Sequence, residues 1–256
     1  ILSTASYLLT NGAEVNSKDI NNCTPVYYAS KSGYLEVLKM LQGAGADLHQ
    51  EDVAGTSPLM AASLQDQVEI VQHLLDCDCN VNQLNYHAQG ALYLACQSNG
   101  RECVSILLSY GAAVNQADCY GVTPLSIASS HGHDDIVSLL LSHNADANIT
   151  DNEGQVALHK VASSGYSTTA NLLVRHKSLL DVQDITGCTA LHIASEKHED
   201  IVSLMLEARC NVNVQNNLGN TALHIAVLAK NVDIIDKLLL YNAGINIRNH
   251  TGDTPL

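Results

Sequence analysis

A short motif returns along this chain at an almost constant step. It stands at Thr24-Pro25-Val26, Ser57-Pro58-Leu59, Gly90-Ala91-Leu92, Thr123-Pro124-Leu125, Val156-Ala157-Leu158, Thr189-Ala190-Leu191, Thr221-Ala222-Leu223 and Thr254-Pro255-Leu256. Successive copies lie 33 residues apart, with one step of 32 between Thr189 and Thr221. Other slots keep the same register. Five residues before each copy stand Asp19, Asp52, Asn85, Asp118, Asp151, Asp184, Asn216 and Asn249. Two residues before it stands Gly, except at Asn22 and Ala88. A repeat of this length is one small helical or turn unit, which buries its apolar face only by stacking on its neighbours.

The composition agrees. The chain has 256 residues, 46% of them hydrophobic, yet no Phe and no Trp. Its core must be built in thin layers from Leu, Ile, Val and Ala. Within each unit Thr or Ser is placed to cap a first helix, with Pro at its first position, where a missing N–H costs nothing. Leu125 and Ala128, then Ile136, Leu139 and Leu140, recur at helical spacing. Gly33, Gly132 and Gly165 fall between two such helices and suit a left-handed cap. Asp-x-x-Gly before the motif supplies turn chemistry.

This pattern resembles the ankyrin repeat over essentially the whole chain. The resemblance implies an all-α repeat solenoid: stacked helix–turn–helix units with β-turn fingers, forming a curved array. Counted from the Asp slot, complete units run 19–51, 52–84, 85–117, 118–150, 151–183, 184–215 and 216–248, with partial units at 1–18 and 249–256. The ends lack polar capping faces, so the chain is expected to be a stretch of a longer array.

Three units depart from the pattern. In 85–117, Asn85, Ala88 and Gly90-Ala91 replace Asp, Gly and Thr-Pro. A left-handed Ala88 is expected to cost about 1–2 kcal/mol. In 151–183, Val156 replaces the capping Thr, at an expected cost of about 1 kcal/mol. The unit 184–215 is one residue short between its helices, around Glu196-Lys197-His198.

Several classes of function are disfavoured. The net charge is −14, from 12 Lys and Arg against 26 Asp and Glu, which argues against a nucleic-acid partner. No apolar run reaches the length of a membrane span, and the N-terminus has no signal-peptide pattern. Cys79 and Cys210 replace a small buried Ala, Cys96 the second Ala of a first helix, and Cys103 a buried Ile. Such thiols act as small hydrophobes. Cys23, Cys119 and Cys188 fall in fingers and are expected to be exposed. Scattered free thiols suit a reducing compartment, cytoplasm or nucleus. His159, His192 and His224 occupy a slot that, by the resemblance, hydrogen-bonds between neighbouring units. With no P-loop, nucleophile elbow or ligand-spaced Cys pairs, no catalytic residue, metal or cofactor is assigned.

The function read from the sequence is a protein–protein interaction scaffold. The resemblance puts partner contacts on the concave finger and first-helix face: Val53, Ala54, Thr56, Leu64, Gln65, Tyr86, His87, Gln89, Cys119, Tyr120 and Val122. The same reading leaves open a recruiting or regulatory segment of a larger enzyme, ubiquitin-ligase adaptor or channel. Between Met40 and His159 there are 14 acids and one basic residue, Arg101. A partner segment with apolar anchors flanked by Lys or Arg would suit this stretch. The resemblance also implies a possible hydroxylation at Asn16, where Leu8 and Glu14 hold the preferred positions upstream.

Overall fold

The computed structural model describes residues 2–256, and these contain fifteen α-helices and no strand. The chain divides into two compact units, Ile1–Cys119 and Tyr120–Leu256. The first holds α1 (Leu2–Thr10), α2 (Pro25–Lys31), α3 (Leu35–Gly43), α4 (Pro58–Leu64), α5 (Val68–Asp76), α6 (Ala91–Gln97) and α7 (Arg101–Ser109). The second holds α8 (Pro124–Ser130), α9 (Asp134–Ser142), α10 (Ala157–Ser164), α11 (Ser167–Arg175), α12 (Ala190–Ala194), α13 (Glu199–Glu207), α14 (Ala222–Leu228) and α15 (Val232–Leu240).

Each repeat is a short first helix packed on a longer second one, as α4 on α5 or α10 on α11. First helices also pack on first helices: α4 lies against α2 and α6, and α10 against α8 and α12. In the second unit α11 packs on α9 and α13 in the same way. The buried layer between these rows is aliphatic. Leu38, Met60, Ile70, Leu74 and Leu107 fill it in the first unit, and Leu125, Ile136, Leu140, Leu158, Leu173, Leu191 and Ile201 in the second. Each such side chain contributes about 1.5–3 kcal/mol on full burial. This is the thin Leu, Ile and Val core that a chain without Phe or Trp must use.

The hydroxyl cap occurs where Pro follows it. Thr24, Ser57 and Thr123 accept the N–H groups of Tyr27, Met60 and Ser126 at 3.3, 3.3 and 3.1 Å. At Thr189 and Thr221 the expected cap is absent. Here the third helical residue is His, and its Nδ1 accepts the Thr backbone N–H at 3.1 Å in both. The Thr hydroxyl turns to that nitrogen, at 2.9 Å, instead of to the helix. Val156 needs no hydroxyl for the same arrangement, because His159 Nδ1 accepts its N–H at 3.2 Å. Much of the cost expected at Val156 is therefore removed.

Ala88 does adopt the left-handed conformation, with φ +58°. Gly33, Gly132 and Gly165 are left-handed between helices, as are Asp66, Asn99 and Lys230 in the other repeats. The repeat 184–215 has no left-handed residue at this junction. Its missing residue is absorbed by a first helix of 5 residues in place of 7 or 8.

Candidate protein-binding site

Each finger is a turn tied down by one carboxyl or amide oxygen. Asp52 Oδ1 accepts the N–H groups of Ala54 and Thr56, both at 2.8 Å. Asn85 Oδ1 accepts those of His87 and Gln89, both at 2.9 Å. Asn supplies the same single oxygen as Asp, so this replacement leaves the turn intact. Neighbouring fingers are joined through backbone: Val53 N–H donates to Asn21 O at 2.9 Å, Tyr86 N–H to Ala54 O at 3.0 Å, and Cys119 N–H to His87 O at 2.8 Å.

These bonds fix the residue after each Asp slot at the tip of its finger, pointing to solvent. Val53 is 60% and Tyr86 74% exposed. Cys119 and His87 are also exposed, whereas Ala54, Thr56, Leu64 and Gln89 are half-buried. Gln65 is exposed at the end of α4. The Gln89 side chain accepts from the Asn85 amide at 3.1 Å, so it serves its own finger. The row extends to Ile20, 95% exposed and in the same slot. The sequence reading passed over Ile20, although the register alone locates it. Tyr120 and Val122 belong to the second unit. There Tyr120 is exposed, Val122 is half-buried, and Asn152 N–H donates to Tyr120 O at 2.9 Å. Exposed Ile185 and Leu218 occupy finger positions of that unit.

Apart from the turn residues Asp19, Asp52 and Asp118, several acids of the first unit lie away from its fingers. Glu69 and Asp76 open and close α5, Asp78 follows it, and Glu102 sits in the first turn of α7; all four are exposed. In the second unit Asp134 and Asp135 open α9 as expected, but they differ. Asp134 Oδ1 accepts from the buried Thr169 hydroxyl at 2.5 Å and is part of the packing.

A second set of residues binds finger to finger from below. His159, His192 and His224 reach the following finger, their Nε2 atoms lying 3.1, 3.0 and 3.2 Å from the carbonyls of Cys188, Asn220 and Asp253. In the first unit the same slot holds Tyr27, Met60 and Tyr93. Burial, and then the charge of the Asp52 carboxylate, push the Tyr27 phenol well above its usual range. Tyr93 is raised in the same way by burial and Asp118. Sequence reasoning assigned this role to the His residues alone. Buried Tyr27 and Tyr93 fill the same slot, beside the Asp of the following finger.

Of the cysteines, Cys79, Cys96 and Cys103 are buried as expected. Burial pushes the Cys79 thiol up to about 11 and the half-buried Cys210 thiol to about 12. Cys119 is exposed and Cys188 half-buried, but Cys23 is buried, a correction to the expected finger exposure. Its position just before Thr24 turns it inward, beside Tyr27 and Ala61. The His131 and His133 rings stack with centroids 5.5 Å apart. Among the described residues no group of three or more His, Cys, Asp or Glu is placed to hold a metal ion. Nor is any helix among them long and apolar enough to cross a membrane. Asn16 is exposed, and its Oδ1 accepts Asp47 N–H at 2.9 Å.

The repeat register, the stacked helix pairs and the laddered fingers agree with comparison to known families. A family model of ankyrin repeats in three copies matches residues 2–85, 59–151 and 143–216, and one of ankyrin repeats in many copies matches 205–256. The chain belongs to the ankyrin-repeat family. Repeats of this family generally serve as protein–protein interaction modules. No curated protein sequence matches the chain.

Proposed function

We propose that the Ile1–Cys119 unit holds a protein partner on its fingers and first helices, with Val53 and Tyr86 as anchors. One observation carries this reading. Val53 and Tyr86, on adjacent fingers, are apolar or aromatic, 60% and 74% exposed, and fixed from behind by a backbone bond. Rigid aromatics of this kind are preferred interface anchors. Ile20, Ala54, Leu64, Gln65, His87 and Cys119 widen the same face, with Thr56 and Gln89 behind it. Tyr120 and Val122 form a separate contact surface on the second unit. The exposed Glu69, Asp76, Asp78 and Glu102 favour a partner segment whose apolar anchors are flanked by Lys or Arg. Because these acids lie off the fingers, they act on the association rate more than on the affinity.

The test is selection of binders from a displayed peptide library, followed by titration against Tyr86→Ala and Val53→Asp. We expect selected peptides rich in apolar residues and Lys or Arg, and an affinity at least about tenfold lower for each variant. Unchanged affinity in both folded variants would place the docking face elsewhere.

A further inference from the structure

The His159, His192 and His224 rings are held in one protonation state by their hydrogen bonds. A backbone N–H can only donate, so each Nδ1 that receives one, from Val156, Thr189 or Thr221, must carry a lone pair. The proton is therefore on Nε2, which donates to the carbonyl of the next finger. The rings are 1%, 1% and 3% exposed. A second proton on any of them would set Nδ1–H against a backbone N–H inside the stack. The helix would lose its tie to its own start, and the burial of a charge would have to be compensated.

The groups facing the rings do not compensate it fully. Asp184 and Asp151 favour a charged His159, and Asp184 favours a charged His192, while His159 disfavours charge on His192. Both carboxylates are already engaged. Lys160 Nζ lies 2.6 Å from Asp151 Oδ2, and Asp184 accepts from Thr186, Cys188 and Gln155. At His224 the corresponding slots hold Asn216 and Asn249, and Asp253 contributes its carbonyl while its carboxylate accepts from Thr251. From α8 the same slot offers Ser126, and the Glu199–Lys237 pair on α13 and α15 is an ion pair of its own at 2.8 Å. Burial is the largest influence on His159 and His192 and moves both below the ordinary 6.5. A lowered value means the unfolded state binds more protons. The stability these rings confer is thus complete above 6.5 and is lost as pH falls toward their folded values.

We propose that the Tyr120–Leu256 unit is an acid-released module. As pH falls from about 7 to about 5, proton uptake by His159 and His192 detaches first helices α10 and α12 from the fingers that follow them. The Ile1–Cys119 unit, with Tyr27, Met60 and Tyr93 in the same slot, keeps its fingers through this range. Repeat stacks open locally, so the effect is confined to the repeats that carry the rings.

Hydrogen exchange on the whole chain at pH 7 and pH 5, corrected for intrinsic rates, tests this. We expect the finger amides of 184–188 and 216–220 to lose at least about tenfold in protection at pH 5. The amides of 52–56 and 85–89 should hold theirs. An equal loss in both units, or none in either, overturns the proposal. Imidazole NMR of the unmodified protein gives a check that needs no variant. His159 and His192 seen as Nε2–H tautomers at pH 7, still neutral at pH 6, support it. Titration at 6.5 with the finger amides unmoved overturns it.

Discussion

The ring of Tyr86 lies against the backbone of Gly55: a methyl group placed at Gly55 would come 2.9 Å from both Cδ1 and Cε1 of that ring. Gly55 also has φ +77°, which an L side chain adopts at a cost. The anchor on one finger is thus positioned by the absence of a side chain on the finger before it. Gly55→Ala should lower stability by about 1–2 kcal/mol. It should also weaken partner binding by displacing Tyr86, whereas Tyr86→Ala should weaken binding with stability little changed. Denaturant unfolding and titration of the same two variants separate these outcomes.

The repeat 85–117 should be improvable. Ala88 has φ +58°, and Gly90 is extended, with φ −98° and ψ 173°, a conformation that suits Thr before Pro. A Cβ at Gly90 would come no closer than 3.4 Å to Leu84, an ordinary contact. Replacing Ala88 by Gly and Gly90-Ala91 by Thr-Pro should stabilise the unit by roughly 1–2 kcal/mol. Denaturant melts check this, and no gain would mean that the finger has relaxed around Ala88.

Met60 occupies the His slot between Tyr27 and Tyr93 and is buried. Met60→His would put Nδ1 near the Ser57 N–H and aim Nε2 at the Gln89 carbonyl, the pattern of His192. The variant should hold its stability at neutral pH and become acid-sensitive in the first unit, with stability falling below pH of about 6.5. Unfolding curves at two pH values decide it. A variant no more acid-sensitive than the parent would mean that the ring does not enter the slot.

Charge effects on binding should come from exposed acids only. Reversing Glu69 and Glu102 to Lys should slow association with a basic partner and flatten its salt dependence. Asp134→Lys should instead destabilise, because it removes the acceptor of the buried Thr169 hydroxyl. Stopped-flow association and thermal melts distinguish the two cases.

Asn16 should be open to hydroxylation in a cell that holds the asparaginyl hydroxylase implied by the family resemblance. Its amide already accepts the Asp47 N–H, a bond that an oxygen added at Cβ leaves in place. Mass spectrometry of cell-derived protein should show one added oxygen at Asn16, and a wholly unmodified residue would count against it.

The repeat register made helices, fingers and most core positions legible, because identical slots in a stack must meet identical neighbours. Asp52 and Asn85 were readable as turn residues, and Val53 and Tyr86 as finger tips, since one oxygen and one register determine both. What lay beyond the sequence was which group satisfies which partner across the stack. Only the packed structure shows that the Thr189 hydroxyl turns to His192, and that buried Tyr27 and Tyr93 fill the slot held by His elsewhere. It also shows that Gly55 makes room for Tyr86, and that the missing residue of 184–215 shortens α12. The Gly55–Tyr86 contact depends on distances between residues roughly 30 positions apart. Local pattern fixes where a side chain sits in its own repeat, while competition for a shared donor or a shared space is resolved only when the next repeat is in place.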